Sequence, residues 1–314
     1  MRSILPTSIV LALPLALVAC GDDSSGGGAG ERLTVAAAFY PIESIVRSVG
    51  GDAIDVVTLV PPGEEAHEYE PTPQQLTELG EADVVVYLGQ GFQPNVEKAL
   101  ESLPDDVVRL DLLEGLTLLP ITEQLPGTEG EAEGEALETG NDPHVWLDPS
   151  NMQAMADAVA TTLAAADPAG ADGYTQRLGE YDTALGALDA EFTAGLATCE
   201  SDVLVTSHRA FGYLAAAYGL TQIAIAGISP SEEPSAKSLE AVAAFAKDNG
   251  VTTIFFEENL PDDLAATVAA EIGAGTDVLD PIESLSTEQL DQDADYSSVM
   301  RQNLAALSTG LRCS

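Results

Sequence analysis

Short apolar runs rich in β-branched residues alternate with stretches of helical periodicity along this chain, and the whole alternation occurs twice. One series runs from Leu33 to Leu110 and a second from Val203 to Leu279, with a long helical stretch between them. Strands separated by helical patterns point to crossover connections and a mostly parallel sheet. The expected fold is therefore α/β: two lobes, each a mostly parallel sheet flanked by helices, joined by one long rigid helix. In the first series strands are expected at Leu33–Ala38, Ile54–Val60, Asp83–Leu88 and Val107–Leu110. Helices are expected at Pro41–Gly50, at Pro73–Gly80 with Thr72 as its cap, and at Pro94–Leu103. An Ala-rich helix follows at Asn151–Ala166, with Ser150 as its expected cap. Ala171–Thr198 carries Tyr174, Leu178, Tyr181, Leu185, Leu188, Phe192 and Leu196 at helical spacing and would span roughly 40 Å. Gly179, Gly186 and Gly195 weaken it. In the second series the expected strands are Val203–Ser207, Gln222–Ala226, Val251–Glu257 and Asp277–Leu279. The expected helices are Ala210–Tyr218, Ser235–Asn249, Pro261–Ile272 and a final one near Ser297–Ser308. This places an N-terminal lobe at 32–166, a linking helix at 167–199 and a C-terminal lobe at 200–314. A length of 314 residues suits about two domains.

The first 19 residues have the build of a signal peptide: Arg2 ahead of an apolar run from Ile4 to Ala19, too short to be read as a membrane span. They end in Leu17-Val18-Ala19-Cys20, which resembles a bacterial lipobox. That resemblance implies diacylglycerol on Cys20, cleavage before it and a protein anchored to the cell membrane, facing the periplasm or the exterior. Residues 20–31, rich in Gly and Ser, would be a flexible tether. An exported chain lives where disulfides persist, and the remaining pair, Cys199 and Cys313, permits one bridge that would pin the C-terminus. Eleven basic residues against 52 acidic ones give a net charge of -41. Such a surface repels nucleic acid and anionic lipid. Part of the acidity lies in Thr122–Asp142, a Glu/Gly-rich segment read as a solvated, mobile insertion (121–142). A monomer is expected.

The chain has three histidines, each in a marked loop: His67 in PPGEEAHEYEPTP, His144 in NDPHVWLDPSN and His208 in VLVTSHRAFGYLA. A fourth stretch, TDVLDPIES, places Asp280 after a strand. His67, His208 and Asp280 follow strands, where open α/β sheets bind ligands. Two of the four residues lie in each half, so a shared site must sit between the lobes. Three imidazoles and one carboxylate complete a shell for a divalent metal. Singly, each residue has a plainer reading: a solvated acidic run around His67, packing at His144, a helix start at His208, a turn at Asp280-Pro281. Without Asp280 the three histidines would instead form the open site of a zinc hydrolase, with Glu65 or Glu68 as base. The chain has no H-E-x-x-H, no phosphate loop and no G-x-S-x-G elbow to favour that. A surface adhesin is a third reading.

HEYEPTPQQL, DPHVWLDPSN, TSHRAFGYLA and IFFEEN, in this order and spacing, closely resemble the motifs of the metal-binding lipoproteins of bacterial ABC importers for zinc and manganese, the solute-binding proteins with a rigid linking helix. The resemblance runs from about Leu33 to the C-terminus. It implies that His67, His144, His208 and Asp280 bind the metal, and that the partner is an ABC permease. Manganese-selective relatives tend to carry glutamate at position 208; His208 here points to the zinc-type branch, with Mn²⁺ as the alternative cargo. Zinc relatives often have a His-rich loop between the first two motifs. This chain has Glu123, Glu129, Glu131, Glu133, Glu135 and Glu138 there instead, which puts a collecting role for that loop in doubt. Glu257, Glu65 and Glu68 are candidates to accept a ligand's N–H. Tyr69 and Trp146 are read as packing residues that hold the ligand loops. Neutral imidazoles bind metal, so binding should weaken as pH falls through the histidine range near 6.5. The linking helix should limit hinge motion, leaving release to a ligand loop near His208 or Asp280.

Overall fold

The structure, a computed structural model, describes residues 32–121, 125, 140–257 and 263–314. The signal segment, Cys20, its tether, the six glutamates of the acidic segment and Pro261 lie outside the described residues. Four strands, β1 (Leu33–Ala37), β2 (Ile54–Thr58), β3 (Val84–Tyr87) and β4 (Val108–Asp111), form a parallel sheet in the order β2-β1-β3-β4. Helices α1 (Tyr40–Gly50), α2 (Pro73–Glu81) and α3 (Pro94–Leu100) are its crossovers. A second parallel sheet repeats the pattern with β5 (Val203–Thr206), β6 (Thr221–Ala224), β7 (Thr253–Phe256) and β8 (Gly275–Val278) in the order β6-β5-β7-β8. Its helices are α6 (Gly212–Tyr218), α7 (Ala236–Asp248) and α8 (Asp263–Ile272). Between the sheets run α4 (Pro149–Ala166) and α5 (Ala171–Gly195); α9 (Thr287–Asp291) and α10 (Tyr296–Gly310) close the chain.

The central strands are continuous apolar runs because helices cover both faces of a parallel sheet; Val35, Ala36, Ala37, Val84, Val85 and Val86 are all buried. In α1, Ile42, Ile45, Val46 and Val49 form one buried stripe at helical spacing. Thr72 caps α2 in a capping box with Gln75, a feature that contributes about 1 kcal/mol. The cap of α4 is Asp148, not Ser150: its side chain accepts from the Ser150 backbone N–H, and the helix begins at Pro149. Proline suits that first position because its missing N–H has no partner to lose.

Helix α5 is 25 residues long and ends at Gly195 rather than at Thr198. There α10 crosses closely: a Cβ on Gly195 would stand 3.0 Å from Leu304 Cδ1. Side chains from α5 reach both halves. Arg177 Nε donates to Val49 O at the end of α1, the Phe192 ring stacks on Tyr218 of α6, and Glu191 pairs with Arg301 of α10. The main apolar core does not stop at the boundary between the sheets. Phe39, Phe92 and Trp146 from the first half join Leu204, Phe211, Leu279, Ile282 and Tyr296 from the second in one buried cluster. A smaller cluster is centred in the second half around Val205, Ile223, Ile254 and Val268.

The acidic segment departs from its sequence reading at one described position. Leu125 is buried and packs into that smaller cluster, so the segment is not solvated throughout. At its root, Ile121 N donates to Gly140 O and Asp142 N to Leu119 O, and the chain leaves and returns at one point.

Cys199 and Cys313 are bonded across a sequence separation of 114. Closing a loop of that size restricts the unfolded chain and contributes about 3 kcal/mol or more. Replacing both cysteines by serine should therefore lower the melting temperature by roughly 6–12 °C, read by thermal circular dichroism. An unchanged melt would show that the bridge is energetically idle.

Candidate metal centre

Every loop that builds the site leaves the carboxyl end of a strand, where the sheets leave backbone groups and crossovers free to shape a pocket. His67 follows β2, His144 follows β4, His208 follows β5, Glu257 ends the β7 run, and Glu283 follows β8. The three Nε2 atoms and one oxygen of Glu283 lie within 4.8 Å of one another, and all four residues are buried. His144 Nε2 is 3.3 Å from His67 Nε2. Glu283 Oε1 is 3.5 Å from His67 Nε2, 3.6 Å from His144 Nε2 and 3.4 Å from His208 Nε2. Ligands about 2.0–2.1 Å from a tetrahedral zinc stand roughly 3.3–3.4 Å apart, and these spacings match. His208 Nε2 and Glu283 Oε1 are buried without a hydrogen-bond partner among the described residues, which is costly unless something else satisfies them.

The other ring nitrogens explain why the Nε2 atoms face inward. His208 Nδ1 lies 2.5 Å from Glu257 Oε1, which also accepts from Ser207 Oγ. His144 Nδ1 lies 2.8 Å from Asp142 Oδ1, and the same oxygen accepts the His144 backbone N–H. A carboxylate on Nδ1 places the proton there and leaves Nε2 as a lone pair for a metal. Asp142 is itself held from the other half. The Tyr213 hydroxyl donates to Asp142 O at 2.8 Å and accepts from Leu119 N at 2.9 Å. A Cβ on Gly212 would stand 2.5 Å from Asp142 Oδ2, so only glycine leaves this carboxylate its place. Loss of such outer partners typically costs 10–100-fold in metal affinity. We expect that range for Asp142→Ala and for Glu257→Ala, measured by competition with a chromogenic chelator.

Glu65 and Glu68 act elsewhere. Glu65 accepts the backbone N–H groups of His67 and Glu68, and burial pushes its carboxyl up. It shapes the turn rather than touching the His67 ring. Glu68 Oε1 accepts from Ser231 Oγ in the second half. Tyr69 donates to Gln75, while Gln93 Nε2 donates to Ala66 O beside His67. Trp146 does more than pack. Its indole N–H donates to Pro281 O, and Tyr296 donates to Trp146 O, tying the His144 loop to the turn that carries Glu283.

Burial would lower the His208 pKa, but the Glu257 and Glu283 carboxylates outweigh it and push the group up to about 10. Burial would raise Glu283, but His67 and His208 hold it well below the ordinary carboxylate value. His144 goes the other way: burial lowers its pKa despite Asp142. His208 thus faces carboxylates on two sides.

The expected fourth ligand is not where the sequence reading put it. Asp280 turns its carboxylate away from the imidazoles: Oδ1 accepts from Ile282 N at 2.7 Å and Oδ2 from Gln289 Nε2 at 2.7 Å. The oxygen that meets the imidazoles belongs to Glu283, three residues on. The intervening Ile282 has φ 60, a left-handed conformation that costs a β-branched residue about 1–3 kcal/mol. Glu283 follows this kink and faces the histidines.

Residues 35–310 match the family model described as zinc-uptake complex component A, periplasmic. The chain is 36% identical over 294 residues to the zinc-binding lipoprotein AdcA of Streptococcus pneumoniae, covering 93% of this chain but only 58% of that protein. It is 35% identical over 312 residues to the high-affinity zinc uptake system protein ZnuA of Bacillus subtilis, covering 96% of each. The structure of the Zn(II)-bound ZnuA-like domain of Streptococcus pneumoniae AdcA superposes with a TM-score of 0.75 at 34% identity, covering 90% of this chain and 99% of that one. The chain belongs to the family of periplasmic zinc-uptake component A proteins.

Proposed function

We propose that this protein captures one Zn²⁺ outside the cytoplasmic membrane with His67, His144, His208 and Glu283, and hands it to the permease of an ABC importer. The observation that carries this is the convergence of three imidazole nitrogens and one carboxylate oxygen, buried, with outer partners fixing two of the rings. Three nitrogens and one oxygen suit zinc; an oxygen-richer set would suit manganese. The carboxylate takes the position that a catalytic zinc reserves for water, so the site holds an ion rather than working with it. Relatives named as zinc-binding lipoproteins support export and a lipid anchor at Cys20. Among the described residues no helix is long and apolar enough to cross a membrane.

The shared core and α5 restrain any opening of the halves, so release proceeds through movement of a ligand loop. Glu68 of the His67 turn reaches Ser231 of the second half through an exposed contact. Solution scattering should show little change in the radius of gyration on zinc addition; a large closure would overturn this route. The test of the function is metal titration of the soluble body with manganese in competition. One zinc per chain, retained against excess manganese, is expected. Failure to bind zinc, or preference for manganese, would refute it.

A further inference from the structure

We propose that Asp280 is a positioning residue for metal capture: it holds the left-handed Ile282 turn that aims Glu283 at the three histidines. The inference rests on the ligand set proposed above. The segment from 280 to 283 is pinned on every side. Asp280 Oδ1 accepts the Ile282 N–H and Oδ2 accepts Gln289 Nε2. Asn303 of α10 grips the Asp280 backbone twice, accepting from its N–H at 2.9 Å and donating to its carbonyl at 2.7 Å. Gln289 is anchored in turn, because its Oε1 accepts from Ser286 N in the capping box that opens α9. Pro281 O receives the Trp146 indole N–H from the first half.

Ile282 is fully buried, and its side chain packs in the main core, so a glycine there would ease the backbone at the expense of packing. A conformation this unfavourable for a β-branched residue persists only where its surroundings over-determine it. Here the bond that fixes it is the one from its own N–H to Asp280. The turn converts a chain direction that would present Asp280 into one that presents Glu283. Asp280 acts through the backbone, not on the metal.

A double-mutant cycle for Zn²⁺ affinity tests this, using Asp280→Ala, Glu283→Ala and the pair, with zinc-edge X-ray absorption as a second readout. Asp280→Ala should weaken zinc binding 10–100-fold, keep one zinc per chain and lose the carboxylate oxygen from the coordination shell. The pair should bind no more weakly than Glu283→Ala alone, because the two residues act as one unit. Asp280→Asn, which keeps an acceptor for the Ile282 N–H, should retain most of the affinity. Additive losses, or an unaltered coordination shell in Asp280→Ala, would overturn the positioning role while leaving the site intact. Unchanged affinity in Glu283→Ala would instead refute the ligand set. If Asp280→Ala does not fold, Gln289→Leu removes one of the carboxylate's two anchors and takes its place in the same cycle, with a smaller loss of the same non-additive kind expected.

Discussion

Replacing His208 by alanine should reduce zinc affinity by on the order of 10³-fold or more, a larger loss than the 10–100-fold expected when an outer partner is removed. Three effects combine. One of four donors disappears. Glu257 is left as a buried carboxylate without the imidazole at 2.5 Å that it faces, and an uncompensated buried charge is costly. Glu283 loses one of the two imidazole neighbours that hold its carboxyl below the ordinary value. The measurement is chelator competition at fixed pH, with thermal melting of the zinc-free variant as a control for folding. An affinity within tenfold of the parent would remove His208 from the ligand set.

The second large effect is on pH. In the zinc-free protein His208 carries a proton up to about pH 10 because Glu257 and Glu283 flank it. Zinc needs the neutral imidazole, so binding must expel that proton. Affinity should rise about tenfold per pH unit, hence about 100-fold between pH 6.5 and 8.5, rather than levelling off above the usual histidine range. Calorimetry in buffers of different ionisation enthalpy should report about one proton released per zinc at pH 8. Affinity that is flat above pH 7.5 would show that His208 is already neutral. The stability of the zinc-free fold follows the opposite course. A group raised in the folded state stabilises fully below its unfolded pKa, near 6.5, and loses that contribution as pH climbs through about 10. Glu283, depressed in the folded state, stabilises above about 4.5 and loses its contribution as pH falls toward its folded value. The zinc-free protein should therefore be most resistant to denaturant between these limits, while zinc adds most on the alkaline side.

The histidines were legible because loop imidazoles after strands in both halves leave few other uses, and their partners lie far apart in sequence but at the same ends of two similar sheets. The fourth ligand was not. Asp280 and Glu283 sit in one short motif, and choosing between them requires a left-handed isoleucine, which local preference argues against. Its N–H bonds to Asp280, while Asn303, Gln289 and Trp146 hold the two residues before it. Asp142 left a faint sign: an aspartate two residues before His144 often accepts the N–H two positions on. Nothing local shows that the same oxygen also reaches the ring, or that Tyr213, 71 residues later, grips its carbonyl. Leu125 escaped because one apolar residue amid glutamates cannot outweigh the composition around it; only a partner surface in the other half makes it a core residue.

The apolar interior that passes from one sheet to the other makes the two similar folds interdependent. Severing the gene within α5 and expressing the fragments separately should yield aggregation-prone pieces, since each would expose to water the side chains it contributes to the shared cluster. What looks like a duplicated, exchangeable module is in practice a single indivisible unit, and recombination between relatives would succeed only by trading both halves together.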